Sequence, residues 1–586
     1  MSRVDPVRLG VIWGGLVSIA EEMGAVLRRT AYSEGVREGR DFSTAFFDAS
    51  GRMVAQGNFS PGHLGSMPFA VRNSLTDYPK ETLRPGDAIL MNDLYMGSGH
   101  LPDFFLTTPV FCRDKLVGFA VNCAHHVDVG GLAAGSQAVA VADFHAEGIR
   151  VLPVKAWSQG EPNREVFKII SGNVRVPEKV LGDLKAQRNA NRVCEIRFQE
   201  FVDIHGLDTV RTCMDAILDE SEKAMRAAID EIPDGTYVAE DYFDDYAEGS
   251  EPVKIRVAAT IAGSNITYDF TGSSDQTPSG LNSLLNYTRA YSFFATKCVT
   301  VQDQVPQNEG CIRPIRIIAP EGSLFNPRPP AAGGARAIMQ QRIVDTILLA
   351  LSQAIPEKVC ANSSHWANPL YGGLDPRTGR RFVYYEIMIG GTGARPHKDG
   401  AEGLCTSFNL ENIPVEVNER NYPVLVEQLG FVRDSGGPGK YRGGTALRKD
   451  VKMLGKEVTF SNLTERQRFY PRGLFGGTGT ARGFTILNPA TENRRLHSKG
   501  LYHLKEGDVI AGQTSGSGGY GNPWERDPRA VLEDVLDDFV SLEGARRDYG
   551  VVIDPMTMSV DEAETTRLRT AMAKSGGQSH SRAHTT

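Results

Sequence analysis

The chain has no CxxC pair, no excess of positive charge, and no uninterrupted apolar run of the ~18 to 20 residues that a bilayer crossing needs. Eight scattered cysteines in 586 residues exclude a cysteine-rich zinc module and a dense disulfide framework. A formal net charge of −7 leaves no basic groove and so no reason to expect nucleic acid. With no cleavable signal pattern at the N-terminus, sparse cysteines predict reduced thiols, a cytoplasmic location and no membrane anchor.

Nucleotide and nucleophile signatures are missing too. Gly516-Ser517-Gly518-Gly519-Tyr520-Gly521 satisfies GxGxxG, but it runs into Asn522-Pro523 and not into the helix that would receive a pyrophosphate. Gly436 to Lys440 is followed by Tyr441, which breaks the GxxxxGK[ST] spacing of a P-loop. Ser98 and Ser136 lie outside a GxSxG elbow, and Cys123 sits in an apolar strand where a thiol is buried and inert.

What is present is the composition of a large globular protein, 41% hydrophobic and 23% charged, too long for a single core. The pattern predicts an α+β, multidomain chain: an N-terminal α+β domain over 1–232 ending in long helices, a middle α+β domain over 233–369, and a β-rich, glycine-rich C-terminal domain over 370–573. The last of these carries a final helix over 527–549, and 574–586 reads as a disordered tail. Asp5-Pro6 supplies an N-cap and a first-turn proline for an opening helix that reaches Tyr32. Helix formers dominate 178–232 and are parted at Gly206, and another helix covers 335–354. The clustered glycines beyond Leu370 read as tight turns between strands.

The chemistry is concentrated in two runs, Gly99-His100-Leu101-Pro102-Asp103 and Ala124-His125-His126-Val127-Asp128. Between them, two short apolar segments separated by Arg113-Asp114-Lys115 predict a β-hairpin, and antiparallel strands would return His125 to the neighbourhood of His100 and Asp103. Four of the twelve histidines, His100, His125, His126 and His145, fall between positions 100 and 145. A mixed imidazole and carboxylate set suits a divalent ion with an open coordination position. Asp41 or Glu38, just before a strand, offers a more distant carboxylate, and Asp128 offers one that would orient a ligand histidine.

At these residues the chain resembles the hydantoinase B/oxoprolinase family. The resemblance rests on Asp41-Phe42-Ser43, His63-Leu64-Gly65-Ser66-Met67-Pro68, Asn92-Asp93-Leu94-Tyr95, the two runs above, Glu147-Gly148-Ile149-Arg150, Asn308-Glu309-Gly310, Asp434-Ser435-Gly436-Gly437-Pro438-Gly439 and Gly518-Gly519-Tyr520-Gly521-Asn522-Pro523. It implies one subunit of a hetero-oligomer, α2β2 or larger, whose hydantoinase A-type partner binds ATP and phosphorylates a cyclic amide that this subunit then hydrolyses. It further implies a zinc, manganese or iron site with His100, Asp103 and His125 as ligands and Asp41 or Glu38 completing it, while His126, Asp128 and Glu38 position ligands or move protons. Two other readings stay open: a subunit of an acetone- or acetophenone-type carboxylase, and a scaffold subunit holding a structural metal.

Overall fold

The computed structural model describes residues 4–301 and 305–576. Helix α1 (Pro6–Thr30) starts where the Asp5 carboxylate accepts from the amides of Val7 and Arg8. It is long and apolar enough to cross a membrane by composition, and its apolar stripe of Ile12, Leu16, Ile19, Met23 and Leu27 is buried against the rest of the protein. The strand, turn, strand pattern that follows becomes β1 (Phe42–Asp48) and β2 (Met53–Gln56), leading into α2 (Pro61–Asp77) and β3 (Ala88–Met91).

The expected hairpin forms as β4 (Asp103–Cys112) and β5 (Lys115–His125), with Asp103 directly opposite His125. With β6 (Val154–Ser158) and β7 (Glu161–Pro162) these strands make a seven-stranded sheet in the order β2-β1-β5-β4-β3-β6-β7. Helices cover both faces. The side chains of Phe46, Ala120 and Ala124 pack against α1 and α3 (Pro177–His205), whereas Phe47, Val121, Cys123 and Phe105 pack against Leu64, Met67 and Val71 of α2. Because successive strand residues point to opposite faces, position parity along β1, β4 and β5 decides which helix layer each side chain meets.

Gly206 parts α3 from α4 (Leu207–Asp230) at a backbone φ of 82°, a conformation that costs glycine little. Next come β8 (Gly235–Phe243), β9 (Val253–Ala262) and β10 (Asn265–Asp269), then α5 (Leu285–Val299), β11 (Ile315–Ile318) and α6 (Ala337–Leu351). The four strands form one sheet in the order β11-β10-β9-β8, with α6 packed on β8 and β9. One buried apolar cluster runs from Leu90 and Phe104 through Ile255 and Ile343 to Leu370 and Leu463, joining the three expected regions of the chain.

The C-terminal third is β-rich. One sheet carries β12 (Leu370–Asp375), β13 (Arg380–Tyr385), β16 (Lys456–Leu463) and β19 (Lys499–Leu504). A second carries β14 (Val424–Val432), β15 (Ala446–Met453), β17 (Phe484–Leu487), β18 (Arg494–Arg495) and β20 (Val509–Gln513). The glycine clusters there serve close approach of backbone to backbone more than turning. A Cβ on Gly516 would lie 1.7 Å from the Ser435 carbonyl oxygen, one on Gly518 2.1 Å from that of Arg472, and one on Gly437 2.1 Å from that of Thr478. The GxGxxG run is thus a strap laced into neighbouring loops, with Gly437 donating to Ser517 and Gly518 to Asn362. The single helix expected over 527–549 is two, α7 (Pro528–Leu536) and α8 (Leu542–Tyr549), and α9 (Glu562–Gly576) follows. Residues 577–586 of the expected tail lie outside the described residues.

Candidate metal centre

At one end of the seven-stranded sheet, three adjacent strands place acidic and imidazole groups side by side. Asp41 immediately precedes β1, and its carbonyl accepts from the His125 amide at 3.0 Å, while Asp103 opens β4 opposite His125. Asp41, Asp103 and His125 share the parity of Phe47, Phe105 and Cys123, so all three face α2. The first turn of α2 brings His63 to them: its Nε2 is 3.4 Å from Asp103 Oδ1 and 3.7 Å from Asp41 Oδ1, and its Nδ1 is 3.4 Å from Ser43 Oγ. His100 Nε2 lies 3.0 Å from Asp103 Oδ1.

The remaining walls come from distant parts of the chain. On α5, Tyr287 donates its hydroxyl to Asp103 Oδ2 at 2.7 Å. Arg336, just before α6, pairs with the same carboxylate and lies with its guanidinium 3.5 Å from the centre of the Tyr287 ring. Tyr385, ending β13, donates to Asp41 Oδ2 at 3.3 Å, and its ring sits 4.8 Å from that of His125. Tyr291, Gln340, Trp366 and Phe408 close the cavity, which keeps about 20 Å³ of room, enough for an ion or a water molecule.

Burial sets the protonation of these groups. It pushes the pKa of His125 well below the usual histidine value, aided by His100, and lowers that of His100, aided by Arg336. Neutral imidazole is the form that binds metals. For Asp103, burial raises the pKa, but His100, His63 and Arg336 more than reverse it and hold the carboxylate ionised. Burial lifts Asp41 to about 6 against the opposing pull of His63. Cys123, on the same face, has its thiol pushed well up by burial and nearby carboxylates and stays protonated, as its apolar strand suggested.

These residues fit a divalent cation. His100, Asp103 and His125 each offer a donor atom, all within 4.8 Å of one another, and His63 with Asp103 forms part of a second such group. Neither His100 Nε2 nor Asp103 Oδ1 makes a hydrogen bond of regular geometry, although both are fully buried. Two carboxylates with Arg336 as their permanent cation leave negative charge to be answered.

Of the residues singled out by sequence, Asp41, His100, Asp103 and His125 meet here. Glu38, His126 and Asp128 do not. Glu38 is partly exposed and stands 4.0 Å from Arg37. His126 has the opposite parity to His125 and points to the α3 side, where its Nε2 is 3.0 Å from Gln187 Oε1 and its ring packs edge-on to Phe104. Asp128 staples a loop instead of orienting an imidazole, accepting from the amides of Gly130, Gly135 and Arg175 and from the Arg175 guanidinium. His145 is exposed and pairs with Asp143 at 2.6 Å.

Sequence reasoning missed His63 as a site group, although its run carried the family resemblance, and it missed Tyr287, Arg336 and Tyr385 altogether. It also missed Gln137, whose side-chain amide nitrogen is 2.8 Å from His125 Nε2. Glu147, from the Glu147-Gly148-Ile149-Arg150 run, accepts from the Gly334 amide below the turn whose Gly334 oxygen is 3.4 Å from His100 Nδ1, and burial pushes its carboxyl up to about 8.

Fold and site together define a sheet-end centre of the His/Asp type, buried among three parts of one chain and suited to a divalent cation. Residues 5–523 match the Hydantoinase B/oxoprolinase family model, and the chain belongs to that family. It is 35% identical to a protein of Pseudomonas sp. (strain NS671) provisionally named as the B component of a D-/L-hydantoinase, with 97% of this chain and 98% of the relative covered. The ATP-dependent caprolactamase crystal structure from Pseudomonas jessenii superposes with a TM-score of 0.89 at 30% identity, covering 97% of this chain and 100% of that one. A nucleotide-free acetone carboxylase structure shares the fold, with a TM-score of 0.90 at 18% identity over 98% of this chain and 83% of that one.

Proposed function

We propose that this chain is the B-type subunit of an ATP-dependent cyclic-amide hydrolase acting on a hydantoin, 5-oxoproline or another lactam. The observation that carries the reading is the buried His100/Asp103/His125 triplet in a chain without a P-loop or dinucleotide motif. An unstrained lactam is a poor electrophile. Phosphorylation of its oxygen by a hydantoinase A-type partner, within an α2β2 or larger assembly, would convert it to an activated imidate, and this subunit would direct the hydrolysis. The names of the hydantoinase and caprolactamase relatives support the substrate class. An ATP-consuming partner and eight unpaired cysteines support a cytoplasmic location.

His100, Asp103 and His125 would hold zinc, manganese or iron, with Asp41 completing the set better than Glu38, which does not reach the cavity. The bound ion would supply Lewis acidity, polarising an oxygen and lowering the pKa of water. Gln137, against His125 Nε2, would hold the orientation of the ring. Arg336 and Tyr287 lock the Asp103 carboxylate in place through its other oxygen. Trp366, Phe408 and Leu410 line the cavity with apolar surface that limits competing water.

The test is co-expression with the A-type partner and an assay of a lactam panel for ATP-dependent ring opening, with and without bicarbonate. Ring opening independent of bicarbonate is expected. Bicarbonate-dependent ADP release with a ketone would replace this reading with a carboxylase, and His100→Ala or His125→Ala variants that fail to assemble would favour the scaffold.

A further inference from the structure

The cavity has two unlike walls. One is the cluster of Asp41, His63, His100, Asp103 and His125 just described. The other is neutral and comes from α5, α6 and the segment before β12, in the shape of Tyr291, Gln340 and Trp366. Each is buried, and the Tyr291 hydroxyl, the Trp366 indole nitrogen and both carboxamide atoms of Gln340 have no hydrogen-bond partner.

Buried polar groups are paired in the great majority of cases, and an unpaired one costs about 1 to 3 kcal/mol. Three side chains of this kind on one cavity wall therefore mark a place where a ligand completes the bonding. Their chemistry is biased. Tyrosine O–H and the amide nitrogen donate, and indole N–H can only donate, so the wall offers donors from all three residues and one obligatory acceptor, the Gln340 oxygen. It suits an acceptor-rich oxygen centre and not a cation.

The placement is consistent. Gln340 lies one turn beyond Arg336, so the two stack on the same side of the α6 N-terminus, and Arg336 holds Asp103. A Cβ on Gly62, the neighbour of His63, would come within 2.7 Å of the Tyr291 hydroxyl, which puts that hydroxyl beside the imidazole wall. Phe408 braces the other two, with its ring 5.2 Å from that of Trp366 and 5.7 Å from that of Tyr291. The room between the walls suits an oxygen-bearing group and not a whole ring. A larger cleft of about 640 Å³ adjoins through Phe59 and Pro61, either side of Ser60, and through Val344, one turn beyond Gln340. The body of a substrate has space there.

We propose that Tyr291, Gln340 and Trp366 form an acyl-oxygen subsite, three neutral donors that hold the oxygen on the carbon under attack opposite the metal-binding wall. This rests on the hydrolase reading for the identity of that carbon, but not for the donor wall itself. Water adds to the imidate carbon, its oxygen becomes the acyl oxygen as the C–N bond breaks and the ring nitrogen takes a proton, and phosphate leaves on further hydrolysis; preorganised donors at the oxygen that gains charge are each worth about 10² to 10³ in turnover.

The test uses the co-expressed complex carrying whichever of zinc, manganese or iron it retains, in wild-type form and as Tyr291→Phe, Gln340→Met and Trp366→Phe. The first two remove bonding atoms with little change of volume, so they decide the matter if the third fails to fold. Expected results are a fall of about 10²-fold in kcat with KM moved less than about 3-fold, unchanged metal content, and continued ATP consumption that outruns product. Unchanged kcat would overturn the subsite, as would loss of the metal, which would make these residues supports for the ligands. A second arm titrates the metal-loaded complex with acetate, a small oxygen-bearing probe that needs no turnover. At least about 10-fold weaker binding by the variants than by wild type supports the subsite, and equal binding sinks it. If wild type opens no lactam, the hydrolase reading fails while the acetate arm still decides the subsite.

Discussion

Asp41 and Asp103 at the sheet end are answered by one permanent cation, Arg336, and by imidazoles, of which burial keeps His100 and His125 neutral. Asp241 and Glu465, where α6 meets the C-terminal strands, are answered by Arg342, Arg466 and Lys499. Both clusters are buried and rich in charge. In the second, Asp241 and Glu465 each have a guanidinium or ammonium against them, and the result is a brace between regions of the chain. In the first, cations are too few, donor atoms converge within 4.8 Å, and space for an ion remains. Burial of ionisable groups thus does not mark a site by itself; convergent donors with charge left over do.

Removing a ligand should separate the two clusters most sharply. His100→Ala or His125→Ala is expected to abolish retained metal and to cost about 10³-fold or more in product formation, with the complex still assembled, as elemental analysis and size-exclusion chromatography would show. Arg342→Met should do the reverse. It takes one of two cations from Asp241 and from Glu465, and the expected loss is about 3 to 5 kcal/mol in denaturant unfolding with metal content unchanged. If Arg342→Met released the metal at ambient conditions, the contrast between brace and site would collapse.

Asp128→Ala sharpens it further, because Asp128 lies only three residues past a proposed ligand. Its four bonds hold the 130–135 loop and Arg175, so a loss of about 2 kcal/mol is expected, with full metal content. Metal loss would instead restore the tautomer-holding role expected from its position in sequence.

The smallest effect lies at the rim of the brace, where His497 meets Asp245 at 3.1 Å. That hydrogen bond raises the His497 pKa above its ordinary 6.5, partly offset by burial. The folded state therefore holds a proton that the unfolded chain gives up, so the stabilisation is complete below pH 6.5 and disappears as pH rises through the folded value. His497→Gln should flatten this decline, worth under about 1 kcal/mol for a pair still partly open to solvent, in unfolding curves taken from pH 6 to 8. An unchanged slope would remove His497 as its source.

Much of the site could be read in one dimension. The hairpin between the two histidine runs follows from alternating apolar segments and a polar turn, and its register puts Asp103 opposite His125. Parity separates His125 from His126: counting back through Cys123 and Val121 shows which of the pair shares a face with Phe105. That signal was present and unused, and adjacency made His126 and Asp128 look like partners when the pleat sends His126 to Gln187. The glycine clusters were legible as β-rich structure, but their cause was not, since close approach of backbone to backbone is a property of pairs of segments.

Local pattern alone determined α1 and its cap, the break at Gly206, the hairpin, and the convergence of His100, Asp103 and His125 at its ends. These depend on neighbours within a turn or a strand pair, where spacing dictates geometry. Only the tertiary structure brought His63, Tyr287, Arg336, Gln340 and Tyr385 to that set, chose Asp41 over Glu38, and left Tyr291 and Trp366 facing the cavity unpaired. Those residues come from helices and strands up to hundreds of positions away, and their meeting is set by how α2, α5, α6 and β13 pack on the sheet end. Packing depends on complementary surfaces, for which a linear sequence carries no periodic signal.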